Sequence, residues 1–280
     1  MAEITASLVR ELREKSGAGM MECKKALTET QGDLEAAFDE LRKSGLKTAS
    51  KKAGRSTGEG RVFAAVSDCG KKGAMIALSC ETDFVAKTPD FEGFMTDMAN
   101  HVLENKSDSL EACLAQSWKG GSDTVDDAVK GLIGKLGENI LLSQVGYYEN
   151  DKGAVGTYVH HDQKKGAFVN VTTGSADDAT LKALCQHIVV YNPSALNRSE
   201  VPADLVEREK GVIKEGLAGK PEEIQEKIMV GQLEKFYAQT VITEQGWVMD
   251  DKQTVQKALE AAMGAGTTLE GFMRFEVGGE

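Results

Sequence analysis

The chain has 280 residues, 41% hydrophobic and 28% charged, the balance of a folded protein with room for two or three small units rather than a disordered one. Its formal net charge of −11 disfavours broad contact with a phosphate backbone, which requires Lys and Arg to neutralise phosphates, and no apolar run reaches membrane-spanning length. The five cysteines, Cys23, Cys69, Cys80, Cys113 and Cys185, are odd in number and scattered, so they are expected to be reduced thiols in a cytoplasmic protein, and the first residues are expected to start a folded pattern rather than a signal or transit segment.

Thr5 can cap a helix carrying Leu8, Val9 and Leu12, which Gly17-Ala18-Gly19 breaks. Met20 and Met21 open a second helix through Ala26 and Leu27; Gly32-Asp33 stops it and caps a third with Leu34, Ala37, Phe38 and Leu41. These three helices read as a small bundle. Two flexible thioethers at its corner suit either filling a gap or gripping a partner. Lys47, Lys51, Lys52 and Arg55 then lie among small residues ahead of Ser56, Thr57 and Gly58, which reads as a solvated linker, with contact to an anion as the alternative.

Next comes a short strand from Arg61 to Val66, a Lys71-Lys72-Gly73 turn, an apolar strand from Ala74 to Cys80, the segment Glu81-Thr82-Asp83-Phe84-Val85-Ala86-Lys87, and a helix from near Phe91 with Phe94, Met95, Met98 and Val102 at helical spacing. The unit is echoed by a strand from Ala154 to His160, a Lys164-Lys165-Gly166 turn, a strand from Ala167 to Thr172 and a helix carrying Leu181, Leu184, Cys185 and Ile188. The second copy reaches its helix by a plain capping loop, Thr173-Gly174-Ser175-Ala176-Asp177-Asp178, so the first copy's loop with Asp83 and Phe84 is added equipment. Loops at strand ends face solvent and carry function, which favours display of both side chains. Spacing leaves the alternative open, with Phe84 folded into the core and Asp83 capping a turn.

From Pro202 to Ala238, Leu205, Val206, Val212 and Ile213 stripe one helix, Gly219-Lys220-Pro221 makes a turn, and Ile224, Ile228, Met229, Leu233 and Phe236 stripe a second. Such a hairpin is a docking arm, a homodimer-forming arm, or a segment folded back on the core. Gly246-Trp247-Val248-Met249-Asp250 reads as an exposed apolar turn, Thr254 to Met263 as a helix, and Phe272 to Val277 as an alternating final strand.

A search for chemistry finds no Gly-rich phosphate loop, paired-histidine zinc helix or serine elbow. His101 and His187 fall on helices as packing or surface residues, and His160 and His161, as strand neighbours, are expected on opposite sides. No metal site or cofactor is expected. Cys80 lacks a histidine near it in sequence, which disfavours nucleophilic catalysis.

Several blocks together resemble the bacterial elongation factor Ts family. They are Met1-Ala2-Glu3-Ile4-Thr5-Ala6, Val9, Glu11-Leu12-Arg13, Gly17-Ala18-Gly19-Met20-Met21, Cys23-Lys24-Lys25-Ala26-Leu27, Gly32-Asp33, Arg42-Lys43-Ser44-Gly45, Thr82-Asp83-Phe84-Val85-Ala86-Lys87, Gly137-Glu138-Asn139-Ile140 and Arg274-Phe275-Glu276-Val277-Gly278. The resemblance runs nearly end to end. It implies an α+β fold: a three-helix, ubiquitin-associated-like domain with a basic linker at 1–55, a core subdomain at 56–148, a related core subdomain at 149–200 and 240–280 with small antiparallel sheets, and an inserted helical hairpin at 201–239.

The resemblance further implies a guanine nucleotide exchange factor for elongation factor Tu, working without covalent chemistry, nucleic acid or membrane. Phe84 would wedge between helices of the partner's nucleotide domain while Asp83 disturbs its magnesium site, within the block Thr82, Asp83, Phe84, Val85, Ala86 and Lys87. Arg13, Met20, Met21 and Lys24 match an N-terminal contact surface, Lys51 and Lys52 basic positions beside it, Val248 and Met249 an apolar turn, and His160 a contact to the partner's third domain. The closing Gly278-Gly279-Glu280 implies that a C-terminal docking helix of some relatives is missing, and Trp247 stands where relatives often carry another aromatic residue.

Overall fold

A computed structural model describes residues 4–217, 219 and 221–278. Of the segments singled out above, Met1, Ala2 and Glu3, the turn residue Lys220, and Gly279 and Glu280 lie outside the described residues. The fold is α+β, helices with small antiparallel sheets, and it divides into two compact units. One comprises residues up to Phe63, Ile76–Gly146 and the residues from Glu276; the other comprises Ala64–Met75 and Tyr147–Phe275.

The first unit opens with α1 (Ala6–Ser16), α2 (Met20–Glu29) and α3 (Leu34–Lys52). The caps are local chemistry. Thr5 accepts the Leu8 N–H, Gly17 ends α1 in the left-handed region at φ 68°, and the Asp33 carboxylate accepts from Glu35 and Ala36. Val9, Leu12, Cys23, Ala26, Leu27 and Ala37 form the buried centre of the three helices. Here the linker expectation fails in part: Lys47, Lys51 and Lys52 lie on α3, and only Ala53 to Gly58 connect onward. No residue from Leu41 to Lys52 breaks a helix outright, Ala49 is buried, and two lysines in the last turn complement the helix dipole.

After α3 come β1 (Glu59–Val66), β2 (Lys72–Cys80), α4 (Asp83–Ala86), α5 (Pro89–Asn105), α6 (Leu110–Ala115), α7 (Val125–Leu136) and β3 (Ile140–Glu149), with the three strands in the order β1-β2-β3. Along β2 every residue from Gly73 to Cys80 is buried, and Phe91, Met95, Met98 and Val102 of α5 are buried as their spacing requires. The elements α6, α7 and β3 were not anticipated from sequence. In the first unit α3 packs against α7 where Gly45 meets Gly134, and a Cβ on Gly134 would stand 2.8 Å from the Gly45 Cα. The Lys52 ammonium donates to the carbonyl of Gly137, the left-handed residue that ends α7.

In the second unit β4 (Gly153–Val159) and β5 (Lys165–Thr172) pair antiparallel from Gly153↔Thr172 to Val159↔Gly166. They are followed by α8 (Asp178–Tyr191), α9 (Ala203–Gly216), α10 (Glu222–Thr240), a small antiparallel hairpin of β6 (Gly246–Trp247) and β7 (Asp250–Thr254), α11 (Val255–Met263) and β8 (Thr268–Glu276). The sheet order is β4-β5-β8, and Val169, Val171, Leu181, Leu184, Ile188, Trp247 and Leu259 are among its buried core. The last strand starts earlier than its alternation indicated, and the residues from Gly271 to Arg274 are half-buried rather than alternating.

Neither α9 nor α10 has a buried residue. Val212 and Ile224, expected on the inner stripes, are exposed; Leu205, Val206, Phe236 and Tyr237 instead gather at the base with buried Ala195, Val201 and Val241. That base is fastened by Arg198, which meets Glu234 at 2.6 and 2.8 Å and Glu244 at 2.6 and 2.7 Å and lies over the Tyr237 ring.

Two glycines of α7 test this packing with opposite signs. Gly131 has no atom within 4 Å of a built Cβ, so Gly131→Ala should stabilise by up to about 1 kcal/mol through helix propensity. At Gly134 the same gain is outweighed by contact with backbone, and Gly134→Ala should destabilise by roughly 1–3 kcal/mol in urea unfolding. Equal effects at the two positions would contradict the close α3–α7 contact.

Candidate functional site

The segment after β2 is not an open loop but a single helical turn, α4. Thr82, extended at φ −130° and ψ 153°, caps it by accepting the Val85 N–H, and the Ala86 N–H reaches the Thr82 carbonyl at 3.3 Å. Thr88 closes its far end by donating its hydroxyl to the Val85 carbonyl at 2.8 Å, then caps α5 by accepting the Phe91 N–H ahead of Pro89. A helix of four residues does not persist in water on its own, because nucleation costs more than so few hydrogen bonds return. The turn is therefore fixed from outside.

The fixing groups come from the two residues just before β3. The Glu138 carboxylate accepts the Thr82 N–H at 3.0 Å and the Thr82 hydroxyl at 2.6 Å. In the reverse direction the Glu81 carboxylate accepts the Asn139 N–H at 2.7 Å, and the Asn139 side-chain amide donates to the Arg55 carbonyl at 2.8 Å. Each acid thus accepts the N–H of the residue following the other. The hydrogen bond from Asn139, assisted by nearby Arg55, holds the Glu81 carboxyl below its ordinary value. The Cys80 thiol donates to the Thr82 carbonyl at 3.1 Å, and Ala86 is buried beneath the turn.

This leaves Phe84 80% exposed, which decides between the two placements open from sequence. The N-cap is Thr82; Asp83 sits in the first turn, ion-paired with Lys87 at 2.7 Å and about half exposed. Val85 is half-buried.

Elsewhere in the first unit, Met20 is 57% and Met21 77% exposed at the start of α2, with Arg13, Lys24 and Lys51 also exposed. Arg13 borders a small cleft with Arg10, Glu14, Asp90 and Lys135. Lys52 differs from the other basic residues: it is half-buried and engaged with Gly137.

His160, Val248 and Met249 belong to the second unit. The expectation that His160 and His161 face opposite sides of a strand is wrong. β4 ends at Val159, the chain turns, and the two rings lie 4.2 Å apart, with the Tyr158 hydroxyl 3.0 Å from His160 Nδ1. The supposedly exposed turn around Trp247 also needs correction. Trp247 pairs with Asp250 and is buried in the core; Val248 is half-buried, and Met249 alone projects, 65% exposed.

Cys80, His101 and His187 are withdrawn into the interior. Cys80 is buried, and burial together with the nearby Glu138 charge pushes its thiol up to about 12. His101 is buried and bonded to Gln116, and His187 is buried against Gln245, with its pKa lowered by burial. Among the described residues no group of three or more His, Cys, Asp or Glu side chains could hold a metal ion, and no helix is long and apolar enough to cross a membrane. A cleft of about 500 Å³, lined in part by Phe38, Leu41, Phe94 and Trp118, has carboxylates Asp90, Asp97 and Asp123 paired with Lys135, Lys119 and Arg42.

Sequence reasoning missed the tie between Glu138 and Thr82, 56 residues apart. Its only local signal was an acid placed between the helix-ending Gly137 and a buried strand.

The model of the family described as elongation factor TS matches residues 81–279. The chain is 41% identical to an elongation factor Ts of Trichlorobacter lovleyi over 98% of this chain and 93% of that protein. It is 43% identical to one of Rhodospirillum rubrum over 99% and 94%, and 38% identical to one of Prosthecochloris aestuarii over 99% and 100%.

The Glu81 tie makes a pH prediction. A carboxyl whose folded pKa is depressed contributes stability that is complete above its ordinary value of 4.5 and is lost as pH falls through the lower folded value. Thermal midpoints of the wild type should therefore drop more steeply from about pH 5 to about pH 3 than those of Glu81→Gln, and parallel curves would contradict the tie.

Proposed function

The chain belongs to the elongation factor Ts family of translation elongation factors, and we propose that it promotes GDP release from elongation factor Tu by presenting Phe84 and Asp83 to that partner's nucleotide domain. One observation carries the reading: a large aromatic side chain stands 80% exposed on a helical turn pinned at both ends, with an acid beside it. A rigid apolar projection of this kind gains by burial in another molecule, where a Phe side chain is worth roughly 1.5–3 kcal/mol. Phe84 wedges between helices of the partner. Asp83 approaches the partner's magnesium, whose demand for near-octahedral coordination makes a badly placed anion costly. Thr82, Val85, Ala86 and Lys87 complete the exchange turn.

The remaining contacts are proposed to spread the interaction. Met20 and Met21, with Arg13 and Lys24, form the N-terminal surface, and their exposure supports a gripping role over gap filling. Lys51 adds a solvent-facing charge, whereas the internal bond of Lys52 favours a supporting one. Met249 with Val248, and His160, serve the second core subdomain, while the hairpin at 201–239 is an association arm. The proposed domains are 1–55, 56–148, 149–200 with 240–280, and that inserted arm.

Coupling between exchange factor and nucleotide is reciprocal: if this chain weakens GDP binding, GDP or GTP weakens binding of the chain by the same factor. The chain stays bound until nucleotide returns, then leaves and acts again. It needs no nucleotide site or covalent step of its own.

The test mixes the chain, below stoichiometry, with elongation factor Tu carrying fluorescent GDP. Wild type should accelerate release, and Phe84→Ala should lower the stimulated rate by roughly tenfold or more, as expected from the lost burial. Asp83→Ala should also slow release. Release unaffected by wild-type chain would reject the function, and wild-type rates for both variants would reject the site.

A further inference from the structure

We propose that Glu138 is a positioning residue for exchange, acting through Thr82 to keep α4 folded and Phe84 projected before any partner arrives; this rests on the exchange reading above. Glu138 accepts both the N–H and the hydroxyl of Thr82, at 3.0 and 2.6 Å. Because the hydroxyl proton goes to the carboxylate, the oxygen's lone pairs stay turned to the Val85 N–H, the capping bond that starts α4. Hydrogen bonds to an ionised acceptor are about twice as strong as neutral ones, so a long capping contact of 3.4 Å is backed by two stronger bonds behind it.

Glu138 is itself held in place by its neighbour. The Asn139 N–H is bound to Glu81, and the Asn139 side chain is bound to the Arg55 carbonyl. Two carboxylates near one another would repel, but here an N–H donor is directed at each, and the Arg55 guanidinium lies 3.5 Å from Glu81. Without the Glu138 tie, a turn too short to persist alone would have to be ordered during binding, and that entropy would be subtracted from the wedge's action.

The experiment compares full-length Thr82→Val, Thr82→Ser, Glu138→Ala, the Thr82→Val/Glu138→Ala double variant and Phe84→Ala in stimulated release of fluorescent GDP from elongation factor Tu, alongside amide hydrogen exchange of each free chain. Thr82→Val and Glu138→Ala should each slow stimulated release by about tenfold, in line with loss of a hydrogen bond to a charged group. The double variant should be no slower than either single variant, because both remove one coupled tie. Thr82→Ser, which keeps the hydroxyl, should recover most of the rate that Thr82→Val loses, and a Thr82→Ser as slow as Thr82→Val would overturn the proposal. Amide exchange should rise at Phe84 to Lys87 and stay unchanged along β2 and β3. Full stimulation by Thr82→Val and Glu138→Ala beside a defective Phe84→Ala would overturn the positioning role and leave the exchange reading intact. Lost protection spreading through β2 and β3 would also overturn it, by showing a structural role. A fully active Phe84→Ala would overturn both.

Discussion

Two glutamates that exchange backbone partners across the first unit hold the candidate site together. Glu138 takes the N–H beyond Glu81, and Glu81 takes the N–H beyond Glu138, so the end of β2 and the start of β3 are tied at the level where α4 departs. Arg55, just past α3, is drawn into the same cluster through its carbonyl and guanidinium. The path of the chain out of the N-terminal helices is thus tied to the groups that fix α4.

Phe84 stands apart from its counterparts elsewhere in the chain. Phe91, Phe168 and Phe275 are fully buried, each on an element whose inner face requires an apolar residue. On α4 the inward position is filled by small Ala86, and the capping and closing bonds come from Thr82 and Thr88, so none of the turn's stability needs the aromatic ring. The ring exposes most of its apolar area to water, and under the proposed function the partner covers it. The ion pair of Asp83 with Lys87 is exposed and screened by solvent, so Asp83 can give it up at small cost.

Much of the architecture was legible because it is written locally. Thr5 and Asp33 cap helices as their spacing indicated, and the two Lys-Lys-Gly turns marked the β1–β2 and β4–β5 connections. What the sequence hid depends on partners distant along the chain. The basic end of α3 looked like a linker because its burial against α7 runs through Gly45 and Gly134, residues that carry no apolar signal. Trp247 looked exposed because hairpin context, not composition, sends alternate residues inward. His160 and His161 were assigned to opposite faces on the premise that the strand continues, but it ends one residue earlier. Asp83 and Phe84 could be picked out as unusual, whereas the clamp that displays them could not.

The central claim is that the Phe84 ring, projecting from its own unit, enters the nucleotide domain of elongation factor Tu. Replacing Phe84 with photoreactive benzoylphenylalanine and irradiating the mixture with nucleotide-free elongation factor Tu tests this most directly. The account expects a crosslink mapping beside the partner's nucleotide pocket and suppressed by excess GDP. Crosslinks confined to this chain, or to partner surfaces away from that pocket, would contradict it.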